Sequence, residues 1–245
     1  MTDPEERPPG RFDSLRVRPY RRLWWGGMCA FGAGQITLIA RGWLAYDLTG
    51  TNTALGAVMI GFGISSLIAI PVGGLLADRF PKRTIIVLSQ LAQVLVASTV
   101  ATLVATDLIR FWMLIAASVV QGAAISVLAP SRLAFIADII DPERLTNALF
   151  LSSMSVQVTR VIGPATAGAL IGVETIGIAG VYYVGAVVAA ISVLLTVGLP
   201  RGAPRRKSQR SPLDDLLDGV RYVRQRPELL RLVVVSLIVV MVGFP

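Results

Sequence analysis

The sequence predicts an all-α integral membrane protein with six complete transmembrane helices and part of a seventh. Two features of composition and one of patterning carry that prediction. Of 245 residues, 54% are hydrophobic and only 16% charged, against about 25% charged in an average soluble domain. Mean hydropathy is accordingly high, at +0.68. The apolar residues gather into blocks of about 20, the length a helix needs to cross a hydrocarbon core of about 30 Å. Basic residues give a net charge of +8, and they fall in alternate gaps between the blocks. In a water-soluble chain that surplus would suggest nucleic acid. Beside membrane spans it suggests the lipid bilayer instead, and no nucleic-acid partner is expected.

Residues 1–22 are polar and are read as an N-terminal segment, not a cleavable signal peptide, because the first apolar run is a full span long. Spans are predicted near 23–46, 54–77, 84–106, 111–130, 147–172 and 177–199, which makes 23–199 a six-helix bundle. Asp47, Asp107 and Glu174 mark the turns on one side, and Asp78, Asp138, Asp141 and Glu143 those on the other. Continuation of the fourth helix past Pro130 is left open. Residues 200–228 form a linker: Pro200–Arg210 is basic and rich in proline, and Ser211-Pro212-Leu213-Asp214 is a helix-start signal. Leu213, Leu216, Leu217 and Val220 then form the apolar stripe of an amphipathic helix expected on the inner membrane surface. The run at 229–245 begins a seventh span; its sixteen apolar residues reach only about 24 Å, so further spans are expected beyond it.

Orientation follows from the basic residues. Twenty of the 23 lysines and arginines lie before span one, between spans two and three, after span four or after span six, while the opposite loops hold only Arg110. The positive-inside rule then places the N-terminus in the cytoplasm. Arg41 and Arg160 remain, and both lie inside spans, where a charge costs about 2.5–3.5 kcal/mol on insertion scales. None of the 15 acidic residues falls at mid-span. Arg41 and Arg160 are therefore candidates for lining a solvated cavity, with Gln35 as a weaker polar candidate.

Catalysis is not expected. Histidine is absent, which removes His-ligated metals and histidine relays, and the single cysteine, Cys29, sits in an apolar run as a small buried residue. No metal cluster, cofactor motif or phosphate-binding P-loop is present in the sequence.

Two segments carry specific motifs. Pro71-Val-Gly-Gly-Leu-Leu-Ala-Asp-Arg-Phe-Pro-Lys-Arg83 resembles the G-x-x-x-D-R-x-G-R-R loop of the major facilitator superfamily. Gly74, Asp78, Arg79, Lys82 and Arg83 match, and Pro81 replaces the usual glycine. The resemblance implies a gating latch, with Asp78 in a charge cluster with Arg79, Lys82 or Arg132. Arg160-Val-Ile-Gly-Pro-Ala-Thr-Ala-Gly168 resembles the G-P-x-x-G-G motif of drug antiporters through Gly163, Pro164 and Gly168, with Ala167 replacing one glycine. In contrast, Ser118 stands where an R-x-x-Q-G pattern, here ending in Gln121-Gly122, would carry arginine.

Ala40–Gly50, Leu145–Leu149 and Asp218–Val223 are similar to the macrolide-efflux and enterobactin-exporter-like branch of that superfamily. The resemblance implies the N-terminal six-helix half of a major facilitator fold, built as two inverted three-helix repeats, plus the start of helix seven. A faint echo of Arg41-Gly-Trp-Leu-Ala in Ser131-Arg-Leu-Ala-Phe agrees with such repeats. The resemblance also implies a secondary active exporter of small amphipathic, drug-like or siderophore-like molecules in the cell membrane. Alternating access, protons as the coupling ion, and a missing C-terminal six-helix half or second chain complete the expectation. A non-transporting fragment or half-unit is the alternative.

Overall fold

Each apolar block of the chain folds as one helix, the form in which a single segment satisfies all its own backbone hydrogen bonds inside lipid. A computed structural model describes residues 12–173 and 175–200, with only the backbone described at 74, 75 and 77–79. The chain divides into two units, 1–205 and 206–245. The predicted amphipathic helix and the predicted seventh span lie outside the described residues.

A short 3-10 turn (Asp13–Arg16) precedes α1 (Arg18–Thr49), α2 (Asn52–Arg79), α3 (Lys82–Ala105), α4 (Phe111–Ile139), α5 (Pro142–Ile171) and α6 (Gly177–Val197). Local chemistry sets the ends. Pro19 lies in the first turn of α1, where its missing N–H costs nothing. Gly50 closes that helix in the left-handed region, at φ 66°, and donates to the Tyr46 carbonyl at 2.7 Å. Phe80 is extended because Pro81 follows it, which separates α2 from α3. Pro142 opens α5. Pro71, Pro130 and Pro164 lie inside helices, so α4 runs unbroken past Pro130 to Ile139.

Five helices, α1 to α4 and α6, are long and apolar enough to cross a membrane. At 30 residues α5 is long enough, but Ser152, Ser153, Ser155, Gln157, Thr159 and Arg160 dilute its apolar character. Its buried positions from Ser152 onward, Ser152, Ser155, Thr159, Gly163 and Ala167, recur about every four residues and form one narrow seam of small side chains.

The packing has internal symmetry. α1 lies against α5 and α6, α4 lies against α2 and α3, and α3 lies against α6. Exchanging α1–α3 for α4–α6 turns the α1–α5 contact into α4–α2 and the α1–α6 contact into α4–α3. The α3–α6 contact maps onto itself. Two three-helix repeats packed in this way agree with the inverted-repeat architecture. Glycines set the closest crossings. A β-carbon on Gly122 would lie 2.5 Å from the Phe62 carbonyl oxygen, so α4 meets the α2 backbone there. One on Gly163 would overlap Gln35, which marks the α5–α1 crossing.

Two apolar clusters fill the bundle. Tyr20, Leu23, Phe135, Ile136 and Leu151 belong to the one near the end where the chain enters, hereafter the basic end. Leu44, Val58, Val100, Leu114 and Tyr182 belong to the other. At the basic end the segment before α1 is tied to the start of α5. Asp13 pairs with Arg144 at 3.2 Å, Ser14 donates to Asn147 Oδ1 at 2.8 Å, and Tyr20 and Trp24 donate to the Ala148 and Leu151 carbonyls at 2.7 and 2.9 Å.

Candidate functional site

Arg41 lies inside the bundle with 1% of its surface exposed. Its Nη2 donates to Gln121 Oε1 on α4 at 2.6 Å, Gln121 Nε2 donates to Thr37 Oγ1 at 2.8 Å, and Thr37 donates to the Ala33 carbonyl at 2.9 Å. The chain of bonds begins and ends on α1, with the glutamine of α4 between. The Tyr182 hydroxyl of α6 lies within electrostatic reach of the guanidinium but outside hydrogen-bond geometry. Nε and Nη1 of Arg41 have no partner among the described residues. The cation is thus enclosed by helices and paired with no carboxylate of the described residues. Ser118, one turn before Gln121, is buried and donates back to the Leu114 carbonyl at 2.8 Å.

Arg160 is exposed on α5 and makes none of the ion pairs found among the described residues. Helical spacing groups it with exposed Ser153 and Gln157, while exposed Met154, Val158 and Val161 occupy the adjoining arc. Gln35 is half-buried against Gly163. Pro164 is half-buried one residue beyond that crossing, and Gly168 is exposed, with open space where a β-carbon would stand. The structure therefore does not bring Arg41 and Arg160 together: one is sealed in the bundle and the other lies on its surface.

In the α2–α3 segment, the side chains of Gly74, Asp78 and Arg79 lie outside the described residues, so a pairing of Asp78 with its expected partners is not placed. Lys82 pairs with Asp138 of α4 at 2.6 Å and also reaches the Ala134 carbonyl at 3.4 Å. Arg83 donates to the Leu199 and Val197 carbonyls at 2.7 and 3.2 Å, where α6 ends. Cations are disfavoured at a helix N-terminus and favoured at a C-terminus. These two leave the start of α3 for an acid on α4 and for the carbonyl end of α6, which ties three helices together at the basic end.

Arg132 of α4 is 3% exposed and lies against α1: a β-carbon at Gly27 would overlap its guanidinium, which also stands 5.5 Å from the Phe31 ring centre. Among the described residues it joins neither Lys82 nor Asp138, and its buried Nε and Nη2 have no partner. A cavity of about 380 Å³ opens beside it.

Sequence reasoning did not assign Asp138, Gln121, Tyr182 or Gln157 to the site. Gln121 and Gln157 were within reach of the rule that selected the arginines, since an amide inside a span also demands a partner. The role of Tyr182 had no local signal, because its neighbour Arg41 is far away in sequence. Among the described residues no group of three or more His, Cys, Asp or Glu side chains gathers to hold a metal.

The chain is 25% identical over 191 residues to a Bacillus subtilis (strain 168) protein named "Uncharacterized MFS-type transporter YfiS", an alignment that covers 76% of this chain and 44% of that protein. The chain spans less than half the length of that relative. The sequence profile of the Major Facilitator Superfamily matches residues 23–245, and with six helices arranged as two exchangeable triplets, the chain belongs to the Major Facilitator Superfamily.

Proposed function

We propose that this chain forms the N-terminal half of a secondary active exporter of small amphipathic molecules, in the macrolide-efflux and enterobactin-exporter-like branch. It works in the cell membrane with its N-terminus cytoplasmic, by proton-coupled alternating access against a second six-helix unit. The observation that carries this reading is the exposed surface of α5, where Ser153, Gln157 and Arg160 run beside Met154, Val158 and Val161. A wet cation-bearing strip beside an apolar one suits a solute with a polar group and a greasy body. The resemblance of Arg160–Gly168 to the antiporter motif supports the same helix as the transport surface. Lys82, Asp138 and Arg83 act at the basic end as the closure that opens and reforms, with Asp78 and Arg79 beside them, while Arg41 holds α1 to α4 as the repeats rock.

Flux of a fluorescent amphipathic dye from proteoliposomes under an imposed proton gradient tests this. Reconstituted together with its second six-helix unit, the protein should export the dye, and Arg160→Ala should abolish export while membrane insertion and the gel-filtration profile stay unchanged. Retained transport in the variant, or no gradient-dependent flux in the parent, overturns the reading.

A further inference from the structure

The start of α1 carries charge of the sign that a helix start disfavours. Arg18, Arg21 and Arg22 stand in its first two turns, and the first turn holds no acidic residue. Cations there are opposed by the helix macrodipole. All three arginines are exposed, and Trp25, 49% exposed, follows one turn later. The spacing 18, 21, 22, 25 places the four on one face of the helix. Asp13, just before α1, is already paired with Arg16 and Arg144. Arg18 and Arg21 make no hydrogen bond or ion pair among the described residues, and Arg22 reaches only the Gly198 carbonyl, at 3.4 Å. Trp24 donates its indole N–H to the Leu151 carbonyl, whereas that of Trp25 has no acceptor among the described residues.

That face looks outward between α5 and α6. On one side of it, a β-carbon on Gly26 would lie 3.0 Å from Thr196 Oγ1 of α6; on the other, one on Gly32 would lie 3.8 Å from Thr159 Cγ2 of α5. Trp43, 47% exposed, stands 18 residues beyond Trp25, and so on the same face after about five whole turns. At 1.5 Å per residue the two positions are about 27 Å apart, close to the hydrocarbon thickness of about 30 Å. Between them the face is low: Cys29 and Gly32 are small and half-buried, and Ile36 is buried. Tryptophans one membrane thickness apart mark the two headgroup levels. The arginines therefore lie at the phosphates of one leaflet, and the shallow channel beyond Trp25 lies at acyl-chain depth.

We propose that this face of α1 binds one anionic phospholipid. Arg18, Arg21 and Arg22 hold its phosphate, the Trp25 N–H donates to an oxygen of the headgroup region, and an acyl chain lies over Cys29, Gly32 and Ile36 toward Trp43. The bound anion offsets the arginines at the start of α1. Membrane orientation asks only that cations stay on one side; it does not ask for three on one face beside an unpartnered indole and a channel. The occupant is a lipid and not a soluble phosphate, because the channel continues from the arginines across the acyl region. The site uses neither the Arg160 strip nor a proton gradient, so lipid binding and transport can fail independently.

The test is quenching of tryptophan fluorescence in the full chain, reconstituted into mixtures of phosphatidylcholine and phosphatidylglycerol in which one lipid carries bromine on its acyl chains. Quenching against lipid fraction gives the relative affinity of the two. The parent protein should show a component of quenching that prefers phosphatidylglycerol about tenfold or more, as several arginines at an anionic surface predict. Trp25→Phe should remove that component and leave the unselective quenching of the other tryptophans. Arg18→Gln with Arg22→Gln should lower the preference about fivefold or more. Arg205→Gln with Arg206→Gln, an equal loss of charge in the linker, should leave it unchanged. Excess glycerol phosphate in solution, the headgroup without its chains, should not displace the lipid. Equal quenching by the two lipids in the parent protein overturns the proposal. So does a selective component that survives Trp25→Phe, an equal loss in the linker variant, which would mean diffuse attraction only, or displacement by glycerol phosphate.

Discussion

At Arg41, burial and hydrogen bonding pull in opposite directions. A fully enclosed guanidinium loses its water, and only one of its nitrogens recovers a partner, Gln121 Oε1 at 2.6 Å. Removing that partner leaves the cation worse off, whereas removing both members leaves no polar group to satisfy. Gln121→Leu should therefore destabilise the protein by about 2–3 kcal/mol. The double variant Arg41→Met with Gln121→Leu should recover most of that loss, both read as unfolding midpoints in detergent. A double variant no more stable than Gln121→Leu alone would show that the pair does not act as a unit. The same logic separates Arg41 from Arg132: the first has an amide against it, and the second has a cavity.

At the level of the helix, the glycines of this chain differ in purpose although their sequence surroundings look alike. Gly122 allows α4 to meet the α2 backbone, because a β-carbon there would lie 2.5 Å from the Phe62 carbonyl oxygen. Gly168 has nothing within 4 Å of that position. Gly122→Ala should lower the unfolding temperature by several degrees, since two backbones must separate. Gly168→Ala should be neutral or slightly stabilising, because alanine is the better helix former by up to about 1 kcal/mol. The reverse order of the two midpoints would mean that α2 and α4 do not cross at Gly122. The α5 helix makes a related point. Its small buried positions face α1, and its outward surface divides into a polar and an apolar strip. Its composition thus falls short of a simple span because polar side chains occupy one strip of that outward surface.

Over the whole molecule, the exchange symmetry of the packing is itself testable. Gly61 faces Ile115, with 3.3 Å from its would-be β-carbon to Cγ2, and Gly32 faces Thr159 at 3.8 Å to Cγ2. These contacts join α2 to α4 and α1 to α5, the two pairs that the repeats interchange. In a Cys29→Ala background, paired cysteines at 61 and 115 and at 32 and 159 should both form disulfides on mild oxidation, since Cγ2 of each partner, one bond from its β-carbon, already lies within 4 Å of the glycine's would-be β-carbon. A serial bundle, with each helix beside the next in sequence, would link neither pair. Failure of both pairs in correctly inserted protein would refute the arrangement.

The six helices of the described residues were legible in the sequence, because the bilayer imposes a length on every apolar run. Pro81, Pro142 and Gly50 announced helix ends through local backbone chemistry, and the motif around Asp78 pointed to the family. Which arginine is sealed and which faces open space was not legible. Arg41 and Arg160 look alike as isolated mid-span charges, and Arg132 looks like one more basic residue near a turn. Their fates depend on partners far away in sequence: Gln121 for Arg41, Gly27 and Phe31 for Arg132, and open surface for Arg160. Hydropathy acts on each segment separately, so the chain alone determined what crosses the membrane. Hydrogen bonding and close packing act between segments, and only the tertiary structure decided which charges find a partner and which, among the described residues, are left without one.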